Sequence, residues 1–287
     1  MIAIFKREFK SQFLNMTGFL FAALLLLFVG IFATQFHLLG GYASFEHTLQ
    51  STCTILLLGI PLLTMRSIPE DKRTKTDRLL YSLPLKLSQI ILGKYFAMLA
   101  VFAIPTVILS LYPLIFSTFG DVNLRSAYAC VLAFFLLGAA LIALSLFLST
   151  LADSQIVAAI LGFGALFLLY ILRSVSTMIP TTPLVSAACL CVLGVLAALL
   201  AYYLTRNVPI TCAVGAILIL PIALIYWISA SVFENLFPSL LSKLAIFNRL
   251  EPFIYGVFDI STLVFYLSFS AFFIVLTVLA AEKKRWN

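Results

Sequence analysis

The chain has 287 residues, of which 63% are hydrophobic and only 10% charged, with a formal net charge of +7. A soluble globular domain runs at roughly 45–50% apolar and about 25% charged, and disorder needs low hydrophobicity and high net charge, so both are excluded. The five cysteines (Cys53, Cys130, Cys189, Cys191 and Cys212) lie in apolar stretches without CxxC spacing, which points to neither a disulfide framework nor a zinc site.

Cutting the chain at every Lys, Arg, Asp and Glu leaves eight uncharged runs of at least 19 residues: 11–45, 47–65, 95–120, 126–152, 154–172, 174–205, 207–233 and 260–281. Each approaches or exceeds the ~20 apolar residues that a bilayer crossing needs. In lipid a segment must satisfy its own backbone, so the runs are expected to be helices. The ~10-residue alternating segments of a membrane β-barrel are absent. The fold expected is all-α: a polytopic transmembrane helix bundle of about eight spans in one domain, 1–287. The basic N-terminus precedes a run too long for a signal peptide, so an uncleaved first helix is expected.

With the N-terminus inside and eight spans threaded, 14 of the 18 Lys and Arg fall on the cytoplasmic side. The outer four are Arg125, Arg173, Lys243 and Arg249. This positive-inside bias puts both termini in the cytoplasm and makes the net charge a topology signal rather than a nucleic-acid footprint.

Residues 66–94 form the long cytoplasmic connection. Ser67 can cap a helix, with Pro69 in its first turn and Glu70 and Asp71 near its positive end. Lys72, Arg73, Lys75 and Arg78 follow, then Leu79, Leu80 and Leu83 before Pro84. Leu79 and Leu83 are four apart and share a helix face. The residues alone leave two readings open: an interfacial anchor among lipid headgroups, or a docking helix for a cytoplasmic partner.

Within the spans, Ala139/Ala143, Ala158/Gly162 and Gly194/Ala198 are small-xxx-small pairs that let helices approach closely. Pro105, Pro113 and Pro221 are expected to kink their spans. The outer stretch at about 231–257 places Leu240, Leu241, Leu244 and Phe247 on one stripe of a helix started by Pro238, expected in the outer interface.

Several chemistries fail for want of residues. GxxxxGK[ST] is absent, since Gly93-Lys94 is followed by Tyr95 and Ser88 stands five residues before Gly93. The chain is therefore expected to bind no cofactor of its own, with ATP and Mg on a separate subunit. By the charge cuts no ionisable group sits mid-span, which counts against ion coupling. His37 and His47 are read as interfacial polarity. Neither a metalloprotease set nor a Ser/His/Asp set is present, so no catalytic residue and no metal site is assigned.

The segment Ile4-Phe5-Lys6-Arg7-Glu8-Phe9-Lys10, the run Pro61-Leu62-Leu63-Thr64-Met65-Arg66 with Glu70-Asp71, Thr76, Leu79-Leu80, Pro84 and Gly93-Lys94, and the tail Asn248-Arg249-Leu250-Glu251-Pro252-Phe253 with Gly256, Asp259, Tyr266-Leu267-Ser268 and Glu282-Lys283-Lys284-Arg285-Trp286 carry a resemblance. Together they resemble permease subunits of ABC type-2 exporters, and more closely the gliding-motility-associated and nitrous-oxide-reductase-maturation permeases of bacteria. Lys75 departs from the family's Gly. The resemblance implies a multi-pass protein of the inner (cytoplasmic) membrane, in contact with membrane lipids. It implies an ABC ATPase subunit, a second permease subunit, identical or not, and an accessory membrane protein in some systems. It makes residues 1–14, with Phe5, Lys6, Arg7 and Glu8, a connecting helix. It makes Arg66, Glu70, Asp71, Arg73, Thr76, Asp77, Arg78, Leu79, Leu80, Leu83 and Pro84 an ATPase-docking segment. Ala158 and Gly162 become the dimer seam, and Pro238, Leu241, Phe247, Glu251, Gly256 and Asp259 the outer gate region. The family core has six spans, so a hairpin at about 184–230 is expected as an addition. The competing expectation is an ATP-independent secondary transporter or channel.

Overall fold

A computed structural model describes residues 1–42, 44–74, 86–205, 221–222, 226–227 and 233–286. Every regular element among the described residues is helical. They form two compact units, Met1–Leu168 with Arg249–Asn287, and Leu169–Asn248.

The first unit opens with α1, Ile2–Leu14, followed by α2, Thr17–Ala33, which runs on as a π-helical stretch, Thr34–Leu39. Next come α3, Glu46–Thr64, and the one-turn α4, Pro69–Arg73. Then follow α5, Leu87–Leu109, the short α6, Tyr112–Ser117, and α7, Leu124–Leu151. Helix α8, Gln155–Met178, carries the chain across the boundary between the units. After a 3-10 turn, Ile246–Leu250, come α11, Glu251–Ile254, and α12, Ile260–Trp286. The second unit holds α9, Pro183–Thr205, and α10, Leu236–Leu244, which pack together.

Six helical stretches among the described residues are long and apolar enough to cross a membrane: Thr17–Leu39, Glu46–Asp71, Leu87–Ser117, Leu124–Leu151, Gln155–Met178 and Ile260–Lys283. They fall on six of the eight uncharged runs. Helix α9 lies in the stretch expected as the added hairpin; of the rest of that stretch, 206–230, only residues 221–222, with an exposed Pro221, and 226–227 are described.

Helix α7 is the centre of the first unit. It packs against α12, α3 and α5, and 72% of its most apolar window is buried, against 17% for α12. Small residues allow this. Gly138 lies so close to Phe102 of α5 that a Cβ there would overlap the ring. Phe102 is itself fully buried, with Phe21, Phe134 and Phe135 at ring separations of 6.0, 5.9 and 5.7 Å. Ala139 and Ala143 are buried on the same helix.

Polar side chains fasten α3 to α7 across this core. Thr64 Oγ1 and Ser145 Oγ are 2.6 Å apart, and the Ser149 hydroxyl donates to the Thr64 carbonyl at 3.3 Å. Hydroxyls that find partners inside a bundle avoid the cost of burying them unsatisfied. Of the expected kinks, Pro105 sits inside α5, and Pro113 lies just after the break at Ser110 and Leu111 that interrupts the apolar stretch Leu87–Ser117. It occupies the first turn of α6, where its missing N–H costs nothing.

Candidate functional site

The site is the junction of α1, α4 and the start of α5. Helix α1 turns Ile4, Glu8 and Gln12, four residues apart, inward. Phe5 stacks on Phe9 along its flank and Phe9 meets Phe13 edge-on, with centroids 5.9 and 5.0 Å apart. Gly93 of α5 gives Ile4 its space: a Cβ there would lie 3.1 Å from Ile4 Cγ2. The close approach of α1 to α5 puts the Glu8 carboxylate beside Lys94.

Lys94 stands two turns inside α5, with 5% of its side chain exposed. Its ammonium has three donors, and each finds an acceptor from another element. One goes to Glu8 Oε1 at 3.1 Å, one to Asp71 Oδ2 at 2.5 Å and one to the Ser67 carbonyl. Arg7 Nη2 donates to Glu8 Oε1 at 2.6 Å and lies 3.7 Å from Asp71 Oδ1. Burial opposes the Arg7 charge, but the hydrogen bond to Glu8 and the charges of Glu8 and Asp71 raise its pKa. Two cations thus meet two carboxylates, and the buried lysine is compensated on every side, as a buried charge must be.

Ser67 does not play the capping role expected of it. Its N–H donates to Thr64 at 3.1 Å, its carbonyl accepts from Lys94, and its hydroxyl is buried without a partner. Arg66 Nε is buried without a partner as well. Glu70 and Asp71 occupy the first turn of α4, and Arg73 is exposed at its end. Thr76, Asp77, Arg78, Leu79, Leu80, Leu83 and Pro84 lie outside the described residues, as does Lys75. Phe5 and Lys6 flank the buried stripe of α1, Phe5 half-buried and Lys6 exposed.

Ala158 and Gly162 face into the first unit. Ala158 is buried, and a Cβ on Gly162 would lie 2.9 Å from Ser145 Oγ and 3.3 Å from Pro61 Cβ. The pair is spent on packing within the subunit. The face of α8 left open carries Ile156, Ile160 and Phe167 instead.

The outer set divides between the units. Pro238, Leu241 and Phe247 belong to the second, and Glu251, Gly256 and Asp259 to the first. On α10 the buried positions are Phe237 and Pro238, while Leu240 and Leu244 of the leucine stripe are exposed. Phe247 meets Tyr170 edge-on at 5.4 Å. Gly256 takes a left-handed φ of +77° between α11 and α12, a conformation suited to glycine. Asp259 accepts from the Ser261 N–H at 2.9 Å and the Thr262 hydroxyl at 2.7 Å, which caps α12. The Thr262 hydrogen bond leads the causes that hold the Asp259 carboxyl below its usual range.

Residues 3–208 match the family model of the ABC-2 family transporter proteins, well over half of the chain. The chain belongs to the ABC-2 transporter family. No curated protein and no solved structure matches it. Membership and the six apolar helices make it a multi-pass membrane protein. An ABC-2 permease is the membrane component of a transporter and generally works with an ABC ATPase subunit. The match covers α1, the ionic junction and the stretch from α2 through α9, and leaves α10 to α12 beyond its end.

Proposed function

We propose that this chain is the permease subunit of a bacterial ATP-binding cassette exporter of the gliding-motility and nitrous-oxide-maturation kind. It moves its substrate with ATP hydrolysed by a separate ATPase subunit. Family membership carries this reading, and the lack of a P-loop sequence in the chain supports a separate ATPase. Two permease subunits pair with two ATPases in the inner membrane, and the segment at 66–94 receives the ATPase.

A docking segment must bury apolar side chains against its partner, and each fully buried leucine contributes about 1.5–3 kcal/mol. Leu79→Asp with Leu80→Asp replaces that gain with unpaired charge. The variant is expected to insert at normal levels and to lose the ATPase on co-purification in mild detergent. Full ATPase retention with normal ATP-driven activity would leave the segment a lipid anchor.

The orientation proposed follows the basic residues, with both termini and residues 66–94 inside and eight crossings in all. Single cysteines at Asn123 and Ser239 are expected to react with an impermeant thiol reagent in intact cells. Thr74→Cys is expected to react only after lysis, and labelling of it in sealed cells would reverse the orientation.

A further inference from the structure

We infer that Lys94 is a positioning residue that clasps the start of the docking segment, at Asp71, to its end on α5 and to α1. The observation is the order of its partners along the chain. Asp71 precedes residues 75–85, Lys94 follows them two turns inside α5, and their charged atoms are 2.5 Å apart. The Ser67 carbonyl adds a second tie to the stretch that follows α3, and Glu8 at 3.1 Å brings in α1. Three elements remote in sequence therefore meet on one ammonium group.

Direction and burial make the clasp more than a surface pair. Exposed ion pairs contribute little, but Lys94 is 5% exposed and its two carboxylates 12% and 18%. Arg7 closes the set from the outside and keeps it neutral. A load applied to the docking segment reaches α3 through α4 and α5 through Lys94 together, and α1 moves with them. Without the clasp α3 and α5 would each answer separately. The part played by an ATPase as the source of that load rests on the function proposed above, whereas the clasp itself does not.

The test reads the clasp directly. A spin label is placed at Thr74→Cys, at the end of α4, in the full permease complex in membranes, with the parent lacking that substitution as blank. Asp71→Asn removes one tie and leaves Lys94 paired with Glu8, so the protein is expected to fold. The mobile component of the spectrum should rise severalfold. Glu8→Gln removes the charge tie to α1 but leaves Asp71 paired with Lys94, and should keep the label restrained, which general destabilisation of the cluster would not do. An unchanged spectrum in Asp71→Asn, or a Glu8→Gln variant as mobile as Asp71→Asn, overturns the clasp. ATPase co-purification is scored on the same samples. Lack of an ATPase beside a restrained wild-type label refutes the docking reading alone, and an unmoved label in Asp71→Asn with the ATPase bound refutes the clasp alone.

Discussion

Lys94→Met is expected to lower the stability of the subunit by about 3–5 kcal/mol, the usual cost of removing one partner from a buried ion pair. The lysine faces two carboxylates and a backbone carbonyl at once. Methionine fills a similar volume, so the loss is electrostatic rather than steric. Glu8 and Asp71 would then repel each other without the lysine between them, and Arg7 beside them is itself 46% exposed. The measurement is the thermal midpoint of the purified subunit in detergent. Combining Lys94→Met with Glu8→Gln and Asp71→Asn removes the stranded charge and should recover most of the loss, since replacing a whole buried ionic set is far milder than breaking it. A single Lys94→Met variant as stable as the parent would mean the cluster is open to water.

Gly138→Val is expected to be as damaging by another route. Even a Cβ at position 138 overlaps the Phe102 ring. That ring cannot swing aside, because Phe21, Phe134 and Phe135 surround it and it has no exposed surface. Overpacking a dense core costs about 1–3 kcal/mol, and more where backbones must part. Here α5 would be pushed off α7, the centre of the unit. Folded protein recovered from membranes should fall severalfold. Phe102→Leu in the same chain should restore much of it, and a lack of any rescue would place the damage elsewhere.

The helical spans were legible because their physics is one-dimensional. A segment that crosses lipid must exclude charge over its whole length, and an uncharged run shows this without any partner. What depends on pairing was hidden. Glu8, Asp71 and Lys94 could each be read as cytoplasmic, but they are 63 and 23 positions apart in the chain, and no local pattern joins them. One signal was available: Lys94 follows Ile90, Ile91 and Gly93 and precedes Tyr95, an apolar setting in which a lone charge needs a counter-ion. Ala158 and Gly162 show the opposite limit. Small-residue spacing says that something packs closely there, and only the fold says that it is Pro61 and Ser145.

The proposed function requires this permease to pair with an ATP-hydrolysing subunit. The most direct measurement is the composition and ATPase activity of the complex purified from native membranes in mild detergent. One nucleotide-binding subunit is expected for each permease chain, with ATP hydrolysis that vanadate arrests. A permease that purifies alone, hydrolyses no ATP and still transports on an ion gradient would contradict the proposed function.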